Sequence, residues 1–258
     1  MRKVSFNEPY MGKKIDPRKK EFLDKYIENE LSNESPEVVE EVLEFIKYLK
    51  RFGYDYSEHY LRYVRTYLEL VKSFHIPRGK TIVELGGLAP ITTYLSKFND
   101  CFIPSPQVDF RIEIDIPESF ADYVLSFEVF EHIKDVPEKS LDEVVLFNYS
   151  GAKKYISHIS NILKPGGYLI LTTPNPCSFK SILNILEFKH PYIFPHHVRE
   201  YTKSEILDLF SGDFELIKYT TFTAFFVDAP RRISDLLSKL GYSLEDRFDT
   251  SFFIFKKW

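Results

Sequence analysis

The sequence predicts an α/β fold: a mostly parallel sheet with helices on both faces, preceded by a helical N-terminal addition. Three observations predict it. Strand-like and helix-like segments alternate nearly throughout from residue 81 to the end. The β-branched run Thr81-Ile82-Val83 closes in Glu84 and the pair Gly86-Gly87, and an apolar-periodic segment at 91–98 follows; this is strand, tight turn, helix. A helical spacing at 153–163 stops at Lys164-Pro165-Gly166-Gly167, where an apolar strand at 168–173 begins.

The elements follow in order. Residues 1–18 scatter Pro9, Gly12 and Pro17 among charges and read as an extended arm. Phe22, Leu23, Tyr26, Ile27 and Leu31 give 19–31 a helical face. Ser35-Pro36-Glu37 is a helix start, with Ser35 as N-cap and Pro36 at the first position, and that helix ends near Gly53. A third helix spans 57–74. Its neighbourhood carries Tyr54, Tyr56, His59 and Tyr63, which either pack against the sheet or line a cleft beneath a lid. Residues 1–75 are thus expected to form an arm and helical lid, and 76–258 the main domain. After the glycine turn come short strands at 100–104 and 123–127, with an alternating stretch at 108–116 between them. Residues 136–150 read as an insertion or a helix with a loop, and 178–200 as a long connection rich in aromatics and histidine. Thr202 caps a helix at 203–210, with Glu205 completing a capping box. A strand at 214–222, a helix at 231–240 and a closing antiparallel strand at 251–255 finish the chain.

The 258 residues suffice for one large domain with an extension. A net charge of −4 gives no electrostatic reason to expect nucleic acid. The two cysteines, Cys101 and Cys177, have neither disulfide nor metal-ligand spacing and fit a reducing cytoplasm. The polar, basic N-terminus is no signal peptide, and no apolar run is long enough to span a membrane. A carboxylate at a strand end followed by bare glycine backbone suits a nucleoside-type ligand better than a triphosphate.

Four segments occur together and in order: Val83-Glu84-Leu85-Gly86-Gly87, Ala121-Asp122-Tyr123-Val124-Leu125-Ser126, Glu128-Val129-Phe130-Glu131-His132, and Leu163-Lys164-Pro165-Gly166-Gly167-Tyr168-Leu169. With them the chain resembles the class I S-adenosylmethionine-dependent methyltransferases, in the small-molecule branch where "EVLEH" precedes "LKPGG". The resemblance covers about residues 60–220. It implies a seven-stranded Rossmann-like sheet whose last strand is antiparallel, and S-adenosylmethionine as methyl donor. By position it implies that Glu84, Gly86 and Gly87 cradle the methionine and ribose part of the cofactor. It also implies that Asp115 reaches the adenine amino group, and that Phe127 and Glu128 lie beside the methionine moiety and the reacting methyl. These positions fall at the carboxyl ends of strands, where open α/β sheets bind ligands. The sequence departs from the family pattern twice. Leu88 stands where a second glycine is usual, and the second strand ends in Ile103-Pro104-Ser105-Pro106-Gln107 without the usual acid for the ribose.

Methyl transfer to oxygen or nitrogen needs the acceptor in line with the methyl and a group to take its proton. His132 and His197 are the candidate bases. The stretch 190–202 resembles the "H-x-R-E-Y-T" segment of methyltransferases encoded among sugar- and polysaccharide-assembly enzymes. It makes His196, Arg199 and Tyr201 candidates for the acceptor site, with Arg199 placed to pair an anionic group. No metal site is expected, because His196 and His197 lack a further spaced ligand. The expected activity is methyl transfer to a sugar-like or polysaccharide-precursor hydroxyl or amine. The alternative is a catalytically silent binding or scaffold protein on the same fold. A nicotinamide dehydrogenase is disfavoured, since the Gly-x-Gly-x-x-Gly fingerprint is absent.

Overall fold

The computed structural model of the protein describes residues 1–6, 11–74, 78–136, 148–191, 194 and 197–258, except the side chain of Arg232. Seven strands form one sheet: β1 (Arg2–Lys3), β2 (Thr81–Leu85), β3 (Asp100–Ile103), β4 (Ala121–Phe127), β5 (Leu163–Pro174), β6 (Phe214–Phe222) and β7 (Thr250–Lys257). Their spatial order is β1-β3-β2-β4-β5-β7-β6. β2 pairs in parallel with β3 and β4, and β4 with β5. β7 lies antiparallel between β5 and β6. The closing strand is therefore interior, and it completes the mostly parallel sheet that the sequence predicts. The chain leaves β2 first toward β3 on one side and then returns to β4 on the other. The carboxyl ends of β2 and β4 thus flank a topological switch point, the place where such sheets open a ligand crevice.

Period-2 alternation sorts the strand side chains onto two faces. Ile82, Leu125, Ile170, Phe252 and Ile254 join one core cluster with the N-terminal helices α1 (Pro17–Leu31), α2 (Pro36–Arg51) and α3 (Tyr60–Ser73). Val83, Val124, Leu169, Leu171, Phe253 and Phe255 join the other, with α5 (Ser150–Ile162) and α7 (Lys203–Phe210). The predicted caps form: the Ser35 hydroxyl accepts the Val38 N–H, and Thr202 and Glu205 make a reciprocal capping box at α7. A third, small cluster joins α6 (Phe179–Leu186) to α8 (Ala229–Lys239) through Phe179, Leu183, Ile233 and Leu237.

Three local readings change. The helix after the glycine turn, α4, is only Pro90–Leu95. The alternating stretch at 108–116 forms turns, and the sheet edge beside β3 is taken instead by β1 from the N-terminal arm. Its alternation arises because Phe110 and Ile114 turn onto the core while Arg111 pairs with Asp109. The connection at 178–200 contains α6, whose apolar face needs α8 as partner. The expected insertion at 136–150 lies mostly outside the described residues.

Candidate active site

Two neighbouring cavities open at the carboxyl ends of β2 and β4. The first, about 270 Å³, is lined by Gly87, Leu88, Ala89, Phe127, Glu128 and Val129 from the strand ends, and by Arg62, Tyr63 and Thr66 from α3. The second, about 430 Å³, is lined by His59, Arg62, Glu128, Glu131, His132, Phe194, His197, Phe225 and Phe226 among others. Arg62 and Glu128 line both, and their Nη1 and Oε2 atoms stand 3.9 Å apart. They form the wall between the cavities.

The glycine turn of the first cavity is shaped from behind. Glu84 is buried, and both its carboxylate oxygens accept the Ala89 N–H, at 3.0 and 2.9 Å. Burial pushes its carboxyl up to about 8. Gly86 has φ +109°, and a Cβ there would lie 2.4 Å from a Val129 methyl. Glu84 and Gly86 therefore set the path of the turn from behind, and neither is among the residues lining these two cavities. Gly87 has open space where a Cβ would be, so it is the glycine that leaves backbone bare to the cavity. Leu88 packs partly against the helical core cluster while also lining the cavity, so the turn has room for it without a second glycine.

Phe127 ends β4, and it and Glu128 line the first cavity. Glu128 leaves the strand with φ +55°, a conformation costly for a residue with a side chain, and its N–H is held by the Thr172 carbonyl at 3.0 Å. Its side chain is 8% exposed, and Oε1 has no hydrogen-bond partner among the described residues. Desolvation raises its carboxyl above the usual range, and Arg62 opposes this. Asp115 lies apart from them. It lines neither cavity; its carboxylate takes the Ser105 N–H and hydroxyl and the Met1 amino group at the end of β3. Ser105 and Asp115 thus satisfy one another at the end of β3, outside both cavities.

The second cavity gathers residues far apart in the chain. His132 sits on a 3₁₀ turn, Phe130–His132, just past β4. The Val198 and Arg199 N–H groups both donate to the Glu131 carbonyl, at 3.0 and 3.2 Å, and this pins the 197–199 stretch against that turn. The two imidazoles meet edge to face, with ring centres 5.0 Å apart. His197 Nδ1 is 2.7 Å from Glu200 Oε1, which orients the ring. Glu131 is fully buried; Thr173 donates its hydroxyl to Oε2 at 3.2 Å. Burial, and then the neighbouring Glu128, push its carboxyl well up. On the opposite wall, the buried Asp249 accepts the N–H groups of Ala224, Phe225 and Phe226, and this fixes the aromatic loop there. Burial, with Arg62 nearby, drops His59 to about 4, so it presents a neutral ring.

Two acceptor candidates are placed elsewhere. Arg199 is 9% exposed; its guanidinium donates to the Tyr149 hydroxyl at 2.7 Å and to Glu205, and it stacks 4.4 Å over the Tyr149 ring. It braces the start of α7 and is not among the residues lining either cavity. Tyr201 is buried against Phe130, 4.6 Å between ring centres. Strict alternation would put Arg199 and Tyr201 on the same face as His197, yet neither lines a described cavity with it: the stretch is turned where the Val198 and Arg199 N–H groups both donate to the Glu131 carbonyl. His196 lies outside the described residues. Sequence reasoning missed Arg62, although its place on the polar side of the α3 periodicity, three residues after His59, was a usable signal. It also missed Asp249, which carries none.

Residues 56–216 match the methyltransferase domain family. The chain belongs to that family. A Mycolicibacterium smegmatis (strain ATCC 700084 / mc(2)155) protein named a probable S-adenosylmethionine-dependent methyltransferase is 26% identical over 108 residues, which are 40% of this chain and 34% of that protein. The chain thus spans about a third of the length of this curated relative. Among solved structures, a SAM dependent methyltransferase from Archaeoglobus fulgidus aligns with 17% identity and a TM-score of 0.45 over 83% of this chain and 99% of that one. The N-methyltransferase NodS from Bradyrhizobium japonicum WM9 aligns with 12% identity and a TM-score of 0.46, over 76% and 96%. The matched span of the methyltransferase domain begins just before α3, so Arg62 and Tyr63 fall within it, as do Gly87, Glu128, His132 and His197.

Proposed function

We propose that the protein transfers a methyl group from S-adenosylmethionine to a small-molecule acceptor. The observation that carries the reading is the shared wall: one cavity ends on a bare glycine turn, the next holds two histidines, and Arg62 and Glu128 belong to both. The first cavity fits the donor on its own chemistry. Gly87 leaves backbone uncovered there, and Glu128 offers a buried carboxylate oxygen without a hydrogen-bond donor, suited to the donor's positive charge. Gly87, Phe127 and Glu128 would hold the donor, with Tyr63 and Arg62 closing over it from α3. When bound, S-adenosylmethionine supplies an electrophilic methyl group on a sulfonium.

The second cavity takes the acceptor. Phe194, Phe225 and Phe226 give it an apolar wall; His132, His197 and Glu131 give it a polar floor. That mixture suits a ring compound with hydroxyl or amine groups, such as a sugar-like molecule, whose faces stack on aromatics and whose polar edge meets the histidines. His132 and His197 handle the proton that the acceptor loses, and Glu200 keeps His197 in one orientation. A panel of nucleotide sugars, free sugars and small amines, followed by S-adenosylhomocysteine release, tests the reading. With an active acceptor, His132→Ala and His197→Asn should lower turnover by about 10²–10⁴ and leave donor affinity nearly unchanged. Equal loss of donor affinity would place the histidines in the donor's wall instead.

A further inference from the structure

The polar floor of the second cavity contains a donor set that the chemistry above does not exhaust. One ligand atom each from Glu131, His132 and His197 lies within 4.8 Å of the other two. Glu131 Oε1 is the hub, 3.9 Å from Nε2 of either histidine. His197 has no ligand at metal-site spacing in the sequence, and folding brings it two from the turn after β4. Two imidazoles and one carboxylate, with a cavity in front of them, is the ligand set of divalent transition-metal sites that keep positions open.

Two further observations point the same way. Glu131 Oε1 is wholly buried and has no hydrogen-bond partner among the described residues, whereas its other oxygen is held by Thr173. A buried carboxyl oxygen left so keeps its proton unless a cation takes that proton's place. Each donor is also oriented from outside: Thr173 holds Glu131, and Glu200 sits 2.7 Å from His197 Nδ1. With the Nδ1 proton donated to Glu200, the His197 Nε2 lone pair faces Glu131, the carboxylate–histidine arrangement that supports metal ligation.

We infer that Glu131, His132 and His197 bind one divalent transition-metal cation, of the zinc, cobalt or manganese class, on the floor of the acceptor cavity. Ligands about 2.1 Å from such a cation stand about 3.0–3.4 Å apart. Each histidine therefore has to close on Glu131 by less than about 1 Å. His132, on a short turn with its side chain 42% exposed, is the one with room to move. The remaining coordination positions face the cavity. The purpose of the site rests on the methyl-transfer reading, though its existence does not. An acceptor hydroxyl on the cation loses its proton to water more readily than a free one. The oxygen lone pair then takes the methyl group, the donor's sulfur–carbon bond breaks, and that electron pair stays on sulfur. With the cation in place, His132 and His197 act on the acceptor's proton through it, and a hydroxyl is the acceptor group that this arrangement favours.

The test is titration of the chelator-stripped full chain with Co²⁺, read by its visible d–d absorption, with Zn²⁺ and Mn²⁺ by calorimetry. The expected result is one saturable equivalent. His132→Ala, at the half-exposed ligand, should keep the melting temperature of the stripped protein and weaken Co²⁺ binding at least about tenfold. Glu200→Gln should weaken it by about 10-fold or more through His197. No saturable binding of any of the three ions, or binding indifferent to His132→Ala, overturns the inference. S-adenosylhomocysteine binding is measured on the same stripped samples. Its retention without metal binding sinks the metal site alone; metal binding without it supports the site and counts against the methyl-transfer reading.

Discussion

At the scale of single residues, burial decides more than residue type. Glu84 was legible as an acid at a strand end; that it faces the Ala89 N–H could not be read, because the direction of a side chain at a turn depends on the turn's path. Its consequence is measurable in the ligand-free protein. Its carboxyl is held at about 8 against 4.5 when unfolded, so between these values the folded chain binds more protons. Stability from this group is full below about 4.5 and falls as pH rises through 8. The melting temperature should therefore decline from pH 5 to 9, and Glu84→Gln should remove part of the slope, leaving that of Glu128, Glu131 and Asp249, which burial raises too. An unchanged slope would mean the carboxyl is not buried as described. Gly86 gives a second prediction at this scale. Gly86→Ala meets both the positive φ and the Val129 methyl and should cost about 2 kcal/mol or more. Val129→Ala in the same chain should recover the steric part only, as denaturant midpoints would show.

At the scale of elements, the pieces with strong local signals were legible and those defined by a partner were not. The helix opened by Ser35-Pro36, the Thr202 capping box and the central strands carry their own caps and periodicity. α6 was hidden because its burial needs α8, and β1 because two residues pair only with an edge already made. The acceptor candidates split for a similar reason: which residues of 197–201 face the cavity depends on Glu131 anchoring that stretch, a contact across the fold. Arg199→Ala should accordingly lower stability by about 2–3 kcal/mol, since Glu205 and Tyr149 lose their partner. It should leave the acceptor KM within about twofold; a large selective rise in KM would return Arg199 to the acceptor site. Asp249→Ala should orphan three N–H groups of the 224–226 loop and cost at least about 3 kcal/mol. A neutral effect on unfolding would show that the loop is held by its aromatics alone.

At the scale of the whole molecule, the helical addition and the sheet share one core, and α3 lends Arg62, Tyr63 and Thr66 to the cavity at the switch point. Packing and cleft lining, which the sequence left as rival readings of these helices, are both met by one helix with two faces. On the proposed reading, donor binding rests on a single patch of bare backbone at Gly87. A side chain there meets nothing within 4 Å and no left-handed φ, so it is compatible with folding and occupies the cavity. The most direct test of the account is calorimetric titration with S-adenosylhomocysteine of the natural chain and of Gly87→Phe, with NAD as control. The account predicts one site on the natural chain, none for NAD, and loss of binding in Gly87→Phe at an unchanged fold by circular dichroism. Absence of S-adenosylhomocysteine binding at millimolar concentration, or equal binding by Gly87→Phe, would contradict it.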